Sequence, residues 1–277
     1  YMLLGVDVGG TFTDAVLVDN GMIVTQAKVK TTQDEVLRGI LQALDIVLSN
    51  NAPDAISRVV VSSTIVTNAL TEGKTEPVFL AVMAGPGMST KGMFPTEPYS
   101  AGGYVDHRGQ IITDVSVDER LVTAMSRNMK IAAVSGKFAV RNQRNEQELR
   151  AKLKTMGFKK IFMGSEISGE LNFVRRTNSA YFSAAVYNKF KEFIGQVEES
   201  ILRRGIRAQV QILKADGGTI PLAAALEQPV EAVFTGPAAS VLGIEALDVP
   251  SVNAISLDVG GTTTDIAFWS GGLPLLA

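Results

Sequence analysis

Asp7-Val8-Gly9-Gly10-Thr11-Phe12-Thr13-Asp14 and Asp258-Val259-Gly260-Gly261-Thr262-Thr263-Thr264-Asp265 differ only where Phe12 meets Thr263. Taken once, Gly-Gly between two apolar runs is a tight hairpin turn chosen for backbone freedom. Two copies with matching flanks mark an internal duplication, because unrelated hairpins share glycines but not their neighbours. A turn without side chains exposes successive N–H groups that converge on phosphate oxygens, and threonine hydroxyls add donors at the rim. The pattern therefore nominates Gly9, Gly10, Thr11 and Thr13, with Gly260, Gly261, Thr262 and Thr263, as two jaws on one polyphosphate. The leading carboxylates, Asp7 and Asp258, stand where Mg2+ is held beside such phosphates, directly or through water. Two roles are open to Asp14 and Asp265 on the returning strands: bracing the turn or joining the metal.

Outward from the first turn, residues 3–8, 15–18 and 22–29 are rich in β-branched residues and separated by Gly9-Gly10-Thr11 and Asn20-Gly21, which predicts three antiparallel strands. Thr32 or Asp34 can cap a helix in which Val36, Leu37, Ile40, Leu41, Leu44, Ile46, Val47 and Leu48 recur at helical spacing until Asn50-Asn51 and Pro53. Val59-Val60-Val61 predicts a buried strand, residues 63–71 the start of a helix, and residues 77–82 another strand. The opening order is β-β-β-α-β-α-β. A loop from Gly85 to Gly103 with Pro86, Pro95 and Pro98 marks a subdomain edge. Helices over 118–129 and 145–156 then alternate with strands over 131–134 and 160–164, which predicts an α/β layer. A long helix over 182–202, a strand over 210–213 and short helices over 223–226 and 240–247 lead to the second glycine turn. The expected divisions are a first core over 1–84, an inserted α/β region over 85–180, a crossover and return over 181–254, and the start of a second domain over 255–277.

Composition limits the chemistry. The chain has 277 residues, 46% hydrophobic and 19% charged, with a net charge of -2, so it is long enough for one large or two modest cores. Its scattered lysines and arginines form no basic stripe, and a nucleic-acid partner is not expected. The opening Tyr1-Met2-Leu3-Leu4-Gly5-Val6-Asp7 reaches a carboxylate too soon for a signal peptide or membrane span, so no membrane association and a cytoplasmic location are expected. Cysteine is absent and His107 is the single histidine, in a turn-like Asp106-His107-Arg108-Gly109. Thiolate nucleophiles, multi-histidine zinc and a well-placed Ser-His-Asp triad fall away together. What remains is chemistry by carboxylates, hydroxyls, backbone amides, amines and a hard metal ion.

The paired hairpin turns around an α/β stretch resemble the actin-like ATPase superfamily, a ribonuclease H-like α/β fold. Within it the chain resembles the hydantoinase A/5-oxoprolinase family. The residues that carry the likeness are Gly5 to Asp14, Ser62-Ser-Thr-Ile-Val-Thr-Asn-Ala-Leu70, the stretch with Phe138, Arg141-Asn142 and Glu146, Ser165-Glu166-Ile167-Ser168 with a histidine missing, Ala215-Asp216-Gly217-Gly218, Thr235-Gly236-Pro237-Ala238-Ala239 and Asp258 to Asp265. The resemblance implies ATP and Mg2+ as cofactors, with ATP-dependent cleavage of a small cyclic amide of the hydantoin or 5-oxoproline type, or carboxylation as in the acetone carboxylase relatives. An amide is a poor electrophile, and phosphorylating its carbonyl oxygen prepares it for attack by water. A second subunit of a hetero-oligomeric enzyme is an implied partner. The alternatives are a sugar or carboxylate kinase and a non-catalytic actin-like switch.

Beside Asp7 and Asp258, the catalytic candidates are Asp216 and Glu166. Asp216 can orient substrate or take a proton, or simply close an Asp-Gly turn. Glu166, at the mouth of a strand, can touch substrate or brace a loop. Ser62, Ser63, Thr64, Thr67 and Asn68 can line the site, and some of them can cap the following helix. Arg141 and Arg176 can bind an acidic substrate, although surface ion pairing is the commoner role. Relatives of this superfamily carry a further glycine-rich adenosine site, so this chain alone is expected to bind ATP weakly and turn over nothing.

Overall fold

The computed structural model describes residues 1–31, 35–127, 129–247, 253–259 and 264–275. They form two compact units, one of Tyr1–Glu72, Lys189–Leu226 and Glu231–Ala277, the other of Gly73–Asn188 and Glu227–Val230. The expected caps Thr32 and Asp34 lie outside the described residues, as do Gly260, Gly261, Thr262 and Thr263.

In the first unit β1 (Met2–Val8), β2 (Phe12–Asp19) and β3 (Met22–Lys30) form an antiparallel meander. Asn20 at φ 48° and Gly21 at φ 81° make the β2–β3 turn, the two left-handed residues that a type I′ hairpin requires. Strand alternation places Leu4, Val6 and Val8 with Ala15 and Leu17 on one buried face. Helix α1 (Val36–Leu48) covers that face with Val36, Ile40, Ala43, Leu44 and Val47. Each fully buried side chain of this size contributes about 1.5–3 kcal/mol of transfer free energy. β4 (Ile56–Ser63) then pairs parallel to β1, and α2 (Ile65–Thr71) follows.

The second unit begins with β5 (Phe79–Met83), β6 (Tyr99–Ser100), β7 (Gly102–Val105), β8 (Ile111–Ser116), α3 (Glu119–Ser126) and β9 (Ile131–Gly136). It continues through α4 (Arg144–Thr155), β10 (Lys160–Met163), α5 (Gly164–Ile167) and the first part of α6 (Phe173–Arg203). Its sheet, in the order β10-β9-β5-β6, is parallel throughout. Both faces are buried, one by Phe79, Ala81, Met83 and Val134, the other by Leu80, Val82, Ala133 and Phe162. That is why β5 and β9 read as unbroken apolar runs. The expected division grouped β5 with the first core, whereas its ladder partners are β6 and β9. His107 is exposed in the β7–β8 turn, where Asp106 Oδ1 accepts from the N–H groups of Arg108 and Gln110 at 2.9 and 2.8 Å.

Helix α6 starts nine residues before the expected position. Asn172 caps it, its Oδ1 accepting from Arg175 N at 3.1 Å, and the early polar residues Arg176 and Thr177 are buried rather than exposed. The chain then returns to the first unit through β11 (Gln209–Leu213), β12 (Thr219–Pro221), α7 (Leu222–Glu227) and α8 (Thr235–Leu247). The six-stranded sheet runs β12-β11-β4-β1-β2-β3. β13 (Ala254–Val259), β14 (Thr264–Ser270) and β15 (Leu273–Pro274) make a separate antiparallel sheet in the same unit.

Candidate functional site

The two hairpins share one register. Asp7 pairs with Asp14 and Val8 with Thr13, just as Asp258 pairs with Asp265 and Val259 with Thr264. In the first copy Gly9 N donates to Phe12 O at 2.9 Å and closes the turn, while the N–H groups of Gly10 and Thr11 have no protein acceptor among the described residues. Neither glycine is at positive φ. Gly9 is required by close approach, since a Cβ there would lie 3.0 Å from Phe12 O. The turn thus leaves two adjacent donors without a protein acceptor among the described residues, which suits an anion.

Thr13 corrects the expectation that its hydroxyl faces phosphate. It is 0% exposed and bonded to Thr31 Oγ1 at 2.6 Å, because alternation from Asp14 turns it to the side of α1. Thr11 stays partly exposed at the rim.

Parallel pairing of β1 with β4 sets Asp7 beside Ser62 and Val8 beside Ser63. Ser62 Oγ donates to Asp7 Oδ1 at 2.6 Å. Burial pushes the Asp7 carboxyl above its usual range, and Asp14 and Asp258 add to the rise, against the Ser62 bond and Lys28. Asp14 is held by Lys28 Nζ at 2.9 Å to both oxygens. Ser240 Oγ of α8 donates to Asp258 Oδ2 at 2.7 Å, and Asp265 is pushed up by burial and by Asp258. A cavity of about 570 Å3 opens on this face, lined by Asp7, Asp14, Lys28 and Ser62 with Leu213 and Ala239. Its volume is in the range of small-molecule sites.

The carboxylates of Asp7 and Asp258 are hard oxygen donors, bonded to serine hydroxyls rather than to a cation, a donor set that fits Mg2+. Among the described residues no three acidic or imidazole groups converge on one point. Mg2+ needs no such cage, because it keeps several waters and takes further ligands from phosphate.

The other candidates are placed differently. Ser63 braces: its N–H donates to Thr235 Oγ1 at 2.9 Å, and that hydroxyl returns a bond to Ser63 O at 2.8 Å. Thr67 Oγ1 accepts from Phe234 N at 2.9 Å and helps hold Phe234 at φ 57°. Asp216 closes the β11–β12 turn, accepting from Gly218 N at 2.9 Å, and pairs with Lys214 at 2.8 Å, contacts that hold its carboxyl below the usual range. It is not among the residues lining the cavity at Asp7. Glu166 belongs to the second unit and pairs with Arg150 at 2.9 Å. Arg141 is exposed. Arg176 is fully buried, donating to the carbonyls of Glu170 and Gly136 at 2.6 Å and of Lys137 at 3.0 Å. Surface ion pairing, the commoner role for such an arginine, is therefore corrected.

Sequence reasoning missed Lys28 and Ser240. Counting back from the Asn20–Gly21 turn sets Ala27 opposite Asp14, but a register shift between Leu17 and Val18 brings Lys28 there instead. Nothing local marks Ser240.

Comparison with known proteins agrees with this architecture. Residues 3–157 match the hydantoinase/oxoprolinase N-terminal region, and residues 176–275 match the hydantoinase/oxoprolinase profile. The chain is 25% identical to caprolactamase subunit alpha of Pseudomonas jessenii, over 97% of this chain and 43% of that protein. It is 25% identical to the 5-oxoprolinase of Saccharomyces cerevisiae, over 42% of this chain and 9% of that protein. A nucleotide-free acetone carboxylase structure superposes with TM-score 0.83 at 20% identity, covering 98% of this chain and 44% of that one. The ATP-dependent caprolactamase structure from Pseudomonas jessenii gives 0.74 at 22%, covering 96% and 43%. The chain thus spans less than half the length of these two proteins, and the fold is the actin-like ATPase α/β fold. No helix among the described residues is long and apolar enough to cross a membrane. With its two profiles in tandem along nearly the whole chain, the protein belongs to the hydantoinase/oxoprolinase family.

Proposed function

We propose that this chain is the nucleotide-binding portion of an enzyme that uses ATP to hydrolyse a small cyclic amide. The observation that carries the reading is the matched pair of hairpins, Asp7 opposite Asp14 and Asp258 opposite Asp265, with Asp7 on the rim of a cavity of about 570 Å3. Gly10 and Thr11 offer N–H donors to the terminal phosphates, and Gly260, Gly261, Thr262 and Thr263 are the proposed second jaw. Asp7 and Asp258 would hold Mg2+, which when bound neutralises charge on the phosphates as the transferred group moves. Ser62 and Ser240 fix the orientation of the two carboxylates.

In this reading the amide oxygen forms a bond to the γ-phosphorus as the bond to the β-phosphate oxygen breaks and ADP leaves. Water then attacks the activated carbon, the ring nitrogen leaves with a proton, and a second water frees phosphate. Asp216 and Glu166 remain candidates to touch substrate, though each is held in an ion pair of its own. The name of the Pseudomonas relative, a subunit alpha, supports a second subunit as partner.

The test is phosphate release by the whole enzyme with ATP, Mg2+ and a panel of 5-oxoproline, hydantoin and caprolactam. Amide-dependent release that Asp7→Ala and Asp258→Ala each abolish supports the proposal. A stable phosphorylated product would identify a kinase instead, and amide-independent hydrolysis a switch.

A further inference from the structure

Strand alternation sorts the first hairpin into two faces. Thr13 and Ala15 turn to the core beneath α1, so Phe12 and Asp14 turn to the side on which the cavity at Asp7 opens. The bulge in β3 sets Lys28 opposite Asp14 on that side, with Ala27 buried on the other. Lys28 Nζ lies 2.9 Å from both oxygens of Asp14 and 5.0 Å from the centroid of the Phe12 ring. The ammonium is thus held by a carboxylate and an aromatic face together. Phe12 is also the one position at which the two repeats differ, so the ring under this charge belongs to the first hairpin alone.

The pair does little for folding. Its side chains are 60% and 43% exposed, and exposed ion pairs add little to stability. What it fixes is the position of a charge. Among the described residues Lys28 is the one cation lining the cavity of about 570 Å3, where Asp7 and Asp14 are the carboxylates. An ammonium has three hydrogens, and the contacts with Asp14 use at most two. The third has no acceptor among the described residues. The hairpin that Lys28 pairs with also carries the N–H groups of Gly10 and Thr11, which likewise have none. A point charge with a spare hydrogen, on the same hairpin as two spare amides, is the kind of donor set that phosphate oxygens take.

We propose that Lys28 binds a terminal phosphate of the nucleotide, and that Asp14 is the holder of Lys28 rather than a metal ligand. The proposal rests on the ATP-dependent reading of the Asp7 cavity. Lysine meets phosphate as a point charge on a flexible stem, and ordering that stem on binding costs affinity. Asp14 and Phe12 order it in advance, the carboxylate by two contacts and the ring by its negative face. With its charge met by Lys28 at both oxygens, Asp14 is a poor second ligand for Mg2+. That position is left to Asp7, whose partner is a neutral serine hydroxyl. The two acids of the first hairpin thereby take different roles. Since the hairpin holds terminal phosphates in this reading, AMP, which lacks them, is indifferent to Lys28.

The experiment is calorimetric titration of ATP, and separately of AMP, into the whole enzyme with Mg2+. Wild type, Lys28→Met, Lys28→Arg and the double variant Asp14→Asn/Lys28→Met are compared, each first checked for an unchanged melting temperature. Lys28→Met is expected to weaken ATP about 10- to 100-fold, the usual scale for a hydrogen bond to a charged group, and to leave AMP unaltered. Lys28→Arg keeps the charge and should recover part of the loss. The double variant separates contact from neutralisation. If Lys28 only cancels the charge of Asp14, removing both restores ATP binding; if Lys28 touches phosphate, the double variant binds ATP as weakly as Lys28→Met. Restored binding in the double variant, equal losses for ATP and AMP, or no loss in Lys28→Met overturns the proposal. The two readings separate: amide-dependent phosphate release with an unaltered KM for ATP in Lys28→Met would keep the hydrolase and dismiss Lys28. The expected ATP losses, in an enzyme that releases phosphate with no amide, would do the reverse.

Discussion

Ser62 Oγ donates a 2.6 Å hydrogen bond to Asp7 Oδ1 across the parallel β1–β4 pair. The serine is 5% exposed and lines the same cavity as Asp7, and its bond fixes one oxygen of the carboxylate. If Asp7 holds Mg2+ as proposed, Ser62→Ala is expected to weaken Mg2+ affinity in the whole enzyme about 10- to 100-fold, the usual effect of losing a partner behind a metal ligand. A Mg2+ titration of phosphate release measures this, and Ser62→Thr, which keeps the hydroxyl, is expected to restore much of it.

Glu146 and Arg176 organise the second unit from inside. Both are 0% exposed, and Glu146 accepts from Gly136 N at 2.7 Å, from Ser165 N at 3.0 Å and from the Ser165 hydroxyl. Removing either side chain leaves buried polar groups without partners, so Glu146→Ala and Arg176→Ala should each cost at least about 1–3 kcal/mol. Denaturant unfolding followed by a probe in this unit is the measurement.

The same glutamate gives a pH signature. Burial raises its carboxyl above 4.5, against the Ser165 and Gly136 bonds and the nearby Arg176 charge. Above the unfolded value the native state binds more protons than the unfolded one, so this contribution to stability falls as pH rises from 4.5 through the raised value. Glu146→Gln removes that titration. Its destabilisation relative to wild type should therefore be largest at the acidic end of the window and shrink as pH rises, in melts collected from pH 4 upward. A difference that grows with pH would contradict the direction.

Thr13, Thr31 and Gly39 pack at one point beneath the first turn. Thr13 bonds Thr31 at 2.6 Å, and a Cβ on Gly39 would lie 2.5 Å from Thr31 Oγ1. Gly39→Ala should cost about 1–3 kcal/mol by overpacking. Thr13→Val should cost a similar amount by stranding the Thr31 hydroxyl, about 1–3 kcal/mol. Neither touches phosphate, so ATP affinity at a temperature well below the melt should be unaltered; a large loss in Thr13→Val would return the hydroxyl to the nucleotide site.

The duplicated hairpins differ in what covers them. Leu4, Val6, Ala15 and Leu17 are buried, whereas their counterparts Ile255, Leu257, Ile266 and Phe268 are 47–65% exposed. An apolar face of this kind promotes association. Leu257→Lys should reduce binding of a hydrophobic dye and self-association of this chain, with a melting temperature close to that of wild type.

Much of the molecule was legible in its sequence because the signals are local. The repeat gave both hairpins, Asn20-Gly21 gave the β2–β3 turn, and the spacing of Val36, Ile40, Leu44 and Val47 gave α1 and its buried face. Period, turn chemistry and internal identity are carried by neighbouring residues, and they also sufficed for the family likeness that the profiles bear out. The start of α6 was not legible: Arg176 read as surface until the carbonyls that hold it, up to 40 residues away, are in place.

The sequence alone determined that Asp7 and Asp258 each end a strand before a glycine turn, with Asp14 and Asp265 on the strands that return. Only the tertiary structure decided that Ser62, 55 residues on, holds Asp7, that a bulge in β3 sets Lys28 rather than Ala27 across from Asp14, and that Thr13 faces the core. A one-residue shift in a ladder exchanges the faces of a strand. Parallel pairing joins segments that share no local pattern, so the partners of these carboxylates were fixed by packing and register.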